Sequence, residues 1–367
     1  MSAAAAAKPW LVFVGGFLGA GKTALILAAG RELERRGISS ATVMNDQGDA
    51  LVDAGLSARQ GRLTAEVTGG CFCCRFSALL RALEGLRAGA PEVIFAEPVG
   101  SCADISATTL RPLLELRDRY RLAPFTVLAD PRRAVELLSP DADPNLAFLF
   151  RKQIEEADLV CYTKSDLSFA PPAQQVENGR RLSAKTGQGV AAWLDEVLSG
   201  RLAAAERVLE IDYAQYARAE AALVWLNLQA RIEPRVPCSP PLVLGPFLEQ
   251  LDRGLTAEKI VIVHMKAIVD SPEGWVKAAQ CANGEPPEVE GDLAASPAAR
   301  HDLLLNLRAL GSAAKIRAIV ERALGAIEGV VTEPDGAPDG TAPDRGPRIR
   351  CFHPAAPRPE RRIANPG

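Results

Sequence analysis

Two short stretches hold residue types at spacings that could do chemistry. Gly16-Phe17-Leu18-Gly19-Ala20-Gly21-Lys22-Thr23 is a complete G-x-x-x-x-G-K-[ST]. Backbone with few side chains can curl its N–H groups around phosphate oxygens, and a helix starting there adds its positive end. Gly16, Gly19, Ala20 and Gly21 would form the cradle. Lys22 would reach the β- and γ-phosphates, and the Thr23 hydroxyl would ligate Mg²⁺. The second stretch, Gly69-Gly70-Cys71-Phe72-Cys73-Cys74, sets three of the eight cysteines within four positions. Thiolates bind Zn²⁺ or Cu(I) well, and sulfurs so close in sequence are gathered at low entropic cost. Adjacent Cys73 and Cys74 would face opposite sides of a regular strand, so a shared metal demands a turn, which the two glycines permit. Three ligands leave a position open for transfer, with Asp46 or Asp49 a candidate to fill it. The competing readings are a thiol redox switch and inert loop cysteines.

Further residues would complete a nucleotide site. Glu97 ends the apolar run "VIFAE" and is followed by Pro98-Val99-Gly100. An acid at that strand tip is placed to hold Mg²⁺ through water or to orient an attacking water, and Gly100 would let the backbone approach a γ-phosphate. "TKSD" (163–166) ends another apolar run where GTPases carry N-K-x-D. Asp166 could accept two hydrogen bonds from guanine, a donor pair that adenine lacks, and the aliphatic part of Lys164 would cover the base. "SAKTG" (183–187) resembles the S-A-K guanine loop of the same enzymes, bringing in Ser183, Ala184 and Lys185. GTP or GDP with Mg²⁺ is the expected nucleotide.

Chemistry of this kind needs a scaffold. "WLVFV" (10–14), "ATVMN" (41–45), "PEVIFAE" (91–97), "PFTVLAD" (124–130) and "ADLVCYTK" (157–164) are near-continuous apolar runs. Such runs suit strands covered on both faces, and "KTALILAAGRELERRG" and "AAWLDEVLSG" have helical spacing between and after them. The expectation is an α/β domain over 10–200: a P-loop NTPase with a doubly wound, mostly parallel sheet. Beyond Arg201 the pattern changes. "ALVWLNLQARI" and "KIVIVHMKAIV" alternate apolar and polar residues, "WVKAAQC" and "DLLLNLRAL" supply two more strands, and "SAAKIRAIVERAL" reads as a helix. A second, smaller α+β domain is expected over 220–330. The proline-, glycine- and charge-rich run after Thr332 predicts a flexible tail over 332–367.

Composition narrows the partners. With 48% hydrophobic and 24% charged residues and a formal net charge of −3, nothing draws the chain to nucleic acid or an anionic surface. No apolar run reaches the roughly 18 residues of a membrane span. Lys8 and Pro9 interrupt the alanine-rich start before a signal-peptide core forms, so a cytoplasmic protein is expected, where clustered cysteines are more often metal ligands or redox groups than disulfides. Cys102, Cys161, Cys238, Cys281 and Cys351 stand singly and read as small buried side chains. His264, His301 and His353 are widely separated and read as structural or surface residues.

Together, "GFLGAGKT", "NDQG" (45–48), "GCFCC" (70–74), "FAEPVG" (95–100), "TKSD" and "SAKTG" resemble, in the same order, the motifs of the CobW-like metallochaperone GTPases, relatives of HypB and UreG. The resemblance covers residues 10–200 closely and 220–330 loosely. It implies a GTPase with Lys22, Thr23 and Glu97 as catalytic residues. It also implies a transition metal at Cys71, Cys73 and Cys74, zinc first and cobalt or iron as alternatives. A client metalloprotein is the implied partner, and a nucleotide- or metal-dependent homodimer is an assembly it allows. The chain departs from the pattern in three places: Thr163 replaces asparagine, Pro-Val-Gly follows Glu97 instead of Thr-[ST]-Gly, and a histidine-rich loop is missing. Other readings are an activator that inserts cobalt or iron into one enzyme, a thiol redox sensor with a regulatory nucleotide site, and a metal buffer.

Overall fold

The computed structural model describes residues 8–45, 63–167, 180–334 and 346–364. Its contacts divide into two compact units. One runs up to Glu220 and takes the chain back from Ala356; the other holds Ala221–Ala355.

The first unit is built on strands β1 (Trp10–Gly16), β2 (Ser40–Asn45), β3 (Leu63–Val67), β4 (Val93–Glu97), β5 (Arg121–Leu122), β6 (Thr126–Ala129), β7 (Leu159–Tyr162) and β8 (Arg180–Arg181). They lie in the order β3-β2-β4-β1-β6-β7-β8, with β5 also beside β1, and every pairing is parallel. The near-continuous apolar runs thus form the interior strands, as strands buried on both faces require. Val12 and Val14 of β1 share a core with Leu25, Ile26 and Leu33 of the helix Lys22–Arg35 and with Trp193 and Leu194 of the helix Val190–Val197. Phe13, of opposite parity, meets Phe72 edge-on with ring centroids 6.0 Å apart. The sheet therefore carries its two candidate loops on carboxyl ends: β1 runs into the glycine-rich loop, and β3 runs into the cysteines. β3 has no counterpart among the expected strands, because only Val67 of it is fully buried and "LTAEV" is too mixed to stand out.

The second unit is an antiparallel sheet of β9 (Leu223–Pro234), β10 (Val261–Ser271), β11 (Gly274–Gln280), β12 (Glu288–Gly291), β13 (His301–Leu310), β14 (Gly329–Thr332) and β15 (Arg348–Phe352). Alternation places Leu303, Leu305, Leu307 and Ala309 of β13 on one face, where Leu244, Phe247, Leu248 and Leu251 of the helix Pro240–Ala257 and Ile316 and Val320 of the helix Ala313–Gly325 cover them. The stretch 332–367, expected as a flexible tail, is structured where it is described. Arg348–Phe352 pairs with β9, with Ile349 turned into the core, and the segment after Ala356 folds onto the first unit.

Candidate functional site

The glycine-rich loop opens directly from β1 and closes into the helix Lys22–Arg35. Gly16, Gly19 and Gly21 all have positive φ, and at Gly16 (φ 132°) a Cβ would run into the Leu128 carbonyl of the neighbouring strand. Lys22 is buried and folds back over the loop, its Nζ donating to the Gly16 carbonyl at 3.0 Å. The Thr23 hydroxyl lies 3.0 and 2.9 Å from the two Glu97 carboxylate oxygens. Lys22, Thr23 and Glu97 are thus brought together at the tips of β1 and β4, a hydroxyl and a carboxylate side by side as a hard divalent cation requires. Gly100 is equally close: a Cβ there would sit 2.9 Å from Lys22 Nζ.

The expected base-reading residues gather farther along the sheet. Asp166 accepts from the Ser183 hydroxyl at 2.7 Å, and that same hydroxyl oxygen accepts from the Thr186 backbone N–H at 3.1 Å. Lys164, at φ 55°, pairs with Asp130 at 3.0 Å. Ala184 packs partly against the core, and Lys185 is exposed. Thr163, where the motif has asparagine, is buried and donates from its hydroxyl to the Ala20 carbonyl at 2.9 Å. It ties the end of β7 to the phosphate loop, so the two segments are held together despite the substitution.

The cysteines are positioned by their own turn and by residues outside it. Cys74 N–H and Arg75 N–H both donate to the Cys71 carbonyl, at 3.0 and 2.9 Å, closing the turn that a shared metal demands before the helix Phe76–Arg87 begins. Phe72, fully buried, anchors the turn in the core. Asn45, at the tip of β2, clamps it from both sides: its amide donates to the carbonyls of Val67 (2.8 Å) and Gly70 (2.7 Å), and its oxygen accepts from Phe72 N–H at 2.7 Å. The sulfurs of Cys71, Cys73 and Cys74 all fall within 4.8 Å of one another, with Cys71 and Cys73 2.8 Å apart and Cys73 and Cys74 3.7 Å apart. Among the described residues this is the one cluster of three or more His, Cys, Asp or Glu able to hold a metal. The histidines do not take part. His301 is buried 3.9 Å from the Cys238 sulfur, and His353 faces the Ala221 and Leu223 carbonyls. Asp46 and Asp49 lie outside the described residues.

Two further elements bear on the cluster. The Cys102 thiol is the largest influence holding Cys71 well below the ordinary thiol pKa, ahead of Cys73 and Cys74. Cys74 is pushed up to about 11, chiefly by its neighbour Cys71. Cys102 itself is buried, as its solitary place in the sequence implied. The returning segment after Ala356 straps the outside. Arg358 N–H donates to Cys74 Sγ at 3.2 Å and Glu360 N–H to the Cys73 carbonyl at 2.9 Å, while the Glu360 carboxylate accepts from the Ser77 backbone N–H and hydroxyl at 2.9 and 2.7 Å. Nothing in the sequence near residue 360 signals this contact; only the fold brings it there.

A parallel sheet whose first strand feeds a G-x-x-x-x-G-K-T loop, with a thiol cluster on the same carboxyl edge, defines a P-loop nucleotide-binding domain with an accessory metal-type site. Residues 10–188 match the family model described as CobW/HypB/UreG, nucleotide-binding domain. Over that stretch the chain is similar to the CobW/HypB/UreG family. The zinc chaperone YeiR of Escherichia coli (strain K12) is 31% identical over 172 residues, which is 44% of this chain and 47% of the relative. The chain thus aligns with about half the length of that curated relative. Among solved structures, Zn(II)-bound YjiA GTPase from E. coli aligns over 86% of this chain and 99% of its own, at 15% identity and TM-score 0.32. HypB from Helicobacter pylori in complex with nickel aligns over 56% and 92%, at 16% identity and TM-score 0.41.

Proposed function

We propose that this protein is a GTP-hydrolysing metallochaperone that carries zinc on Cys71, Cys73 and Cys74 and delivers it to a client metalloprotein. The observation that carries the reading is the gathering of three sulfurs on the same sheet edge as the phosphate loop, within one compact unit. An all-thiolate donor set suits zinc better than the harder environments that cobalt and iron usually take, so zinc is the cargo and insertion of cobalt or iron is the lesser reading. Lys22 would neutralise charge on the transferring phosphoryl group, Thr23 and Glu97 would hold Mg²⁺, and the backbone from Gly16 to Gly21 would cradle the phosphates. Asp166, already aligned by Ser183, would read guanine, with Lys164 and the 183–185 loop around the base. All eight cysteines are free, which fits a reducing compartment such as the cytoplasm, and no helix among the described residues is long and apolar enough to cross a membrane.

The test is made on full-length protein purified anaerobically. Zinc should bind at one equivalent per chain, and joint substitution of Cys71, Cys73 and Cys74 by Ser should abolish it while GTP still binds. Mg²⁺-dependent turnover should favour GTP over ATP. Zinc retained by the triple variant, or equal turnover of both nucleotides, contradicts the reading.

A further inference from the structure

Cys71 and Cys73 are buried and Cys74 is half-buried, so Cys74 is the sulfur of the cluster most open to solvent. A piece of the chain's own end lies across it. Arg358 N–H donates to Cys74 Sγ at 3.2 Å, and Glu360 N–H donates to the Cys73 carbonyl at 2.9 Å. Pro357 and Pro359 alternate with these donors. Proline favours extended backbone before it and has no N–H of its own, so the contacts fall to the residues that follow each proline.

Two charged side chains fasten the segment. The Glu360 carboxylate accepts from the Ser77 backbone N–H at 2.9 Å and from its hydroxyl at 2.7 Å. Ser77 lies in the first turn of the helix Phe76–Arg87, which has no acid of its own there and no side-chain cap. Two residues after Glu360, Arg362 Nε donates to Asp104 Oδ2 at 2.9 Å, and the Tyr213 hydroxyl shares that oxygen. Asp104 is only 1% exposed, and its Oδ1 has no hydrogen-bond partner among the described residues. A buried carboxylate of this kind needs a cation, and Arg362, itself 31% exposed, supplies it from the surface. No residue from 356 to 364 is buried, and none lies in a helix or strand. The segment therefore adds nothing to the core and is held chiefly by polar contacts, which equivalent groups of another chain can replace at little net cost.

We propose that the face of the cysteine loop beneath 358–362 is the docking face for the client, and that this segment is a built-in stand-in for it. The partner that fits is an extended segment carrying an acid and, two residues on, a base. The acid takes the Ser77 N–H and hydroxyl, the base takes Asp104, and backbone N–H groups meet the Cys73 carbonyl and the Cys74 sulfur. Such a partner must displace the segment to reach Cys74, and it must bring its own cation, since Asp104 is otherwise left buried and unpaired. That the partner is the client rests on the metallochaperone reading; the docking face does not, because no metal takes part in it.

A fluorescein-labelled peptide of residues 356–364, "APRPERRIA", is titrated by fluorescence anisotropy into reduced, metal-free full-length wild type and Glu360→Ala. In wild type the attached segment competes at high effective concentration. The variant's segment has lost two hydrogen bonds, so the peptide should bind the variant about tenfold more tightly. A second peptide keeps only the prolines, the acid and the arginine two residues after it, with alanine elsewhere, and should bind the variant comparably. A third, with that acid and that arginine replaced by alanine, should not bind. Saturating peptide should also return Cys74 of the variant to its wild-type rate of alkylation by iodoacetamide, read by mass spectrometry. Zinc is absent throughout, so these results stand apart from the zinc stoichiometry that tests the metallochaperone reading. Equal affinity of the first peptide for wild type and variant, or binding to neither, overturns the docking face. A second peptide that fails to bind, or a third that binds as tightly as the first, overturns the acid-and-base partner. Binding that leaves Cys74 alkylation unchanged puts the peptide elsewhere and overturns the proposal.

Discussion

The phosphate loop and the cysteine loop occupy carboxyl ends of one parallel sheet, yet they are held by different means. The phosphate cradle is nearly self-sufficient: Gly16 to Thr23 are consecutive, and the chain elsewhere adds Glu97 against Thr23 and Thr163 against Ala20. Backbone does most of the recognising, so a short motif suffices. The cysteine loop is also consecutive, but its shape is imposed from afar by Asn45 and the 358–360 segment. A metal is held by side chains, and side chains must be aimed. The first site is written in one stretch; the second is assembled by the fold.

That contrast can be broken or sharpened by substitution. The largest effect is expected at Lys22. Lys22→Ala should lower GTP turnover by at least about 10²-fold, as loss of a charged donor to a transition state does. Zinc stoichiometry should stay unchanged, and a variant that also lost zinc would show that the two loops are one site and not two.

Asn45→Ala comes next. It removes three short hydrogen bonds and strands two carbonyls and an N–H, for a loss of about 3 kcal/mol of stability. Urea unfolding should show the loss, zinc affinity should fall with it, and nucleotide affinity should hardly move. Undiminished zinc affinity would mean that the loop shapes itself.

A smaller effect depends on pH. Glu156 lies fully buried, accepting from Ser106 N–H at 3.1 Å, and burial holds its carboxyl well above the usual 4.5. The folded state keeps that proton where the unfolded chain has lost it. Stability should therefore fall as pH rises from 4.5 towards the folded value, by up to about 1.4 kcal/mol per pH unit. Glu156→Gln should remove this part of the slope in denaturation series taken between about pH 5 and pH 8. An unchanged slope would assign the pH dependence to other groups.

The smallest effect belongs to the strap. Glu360→Ala removes two hydrogen bonds on a partly exposed surface, about 1 kcal/mol, and should speed alkylation of Cys74 while leaving turnover alone. No change in Cys74 reactivity would mean that the strap does not cover the thiol.

What could be read in advance follows the same division. β1, β2, β4, β6 and β7 were legible because interior parallel strands are apolar on both faces, and β9, β10, β11 and β13 because they alternate. The helix Pro240–Ala257 was hidden by Pro240, Pro241, Gly245 and Pro246. Proline at the first helical position costs little, since its missing N–H has no partner there in any case, but it reads locally as a turn. Thr163 looked like a defect in a guanine motif, yet its hydroxyl reaches the Ala20 carbonyl. Cys102, expected as a small core side chain, is buried. The helix was missed for a local reason, whereas the contact of Thr163 with Ala20 is a long-range one that composition and periodicity do not encode.

A metallochaperone that hydrolyses GTP should couple its nucleotide state to its metal site, and the most direct test is zinc affinity itself. Chelator competition on the full chain should give different zinc dissociation constants with GDP and with a non-hydrolysable GTP analogue, separated by roughly 5- to 150-fold, the usual range for coupled sites. By linkage, zinc must then change the relative affinities for the two nucleotides by the same factor. Identical zinc affinity in both states would contradict the claim and leave a P-loop domain carrying a thiol site that the nucleotide does not control.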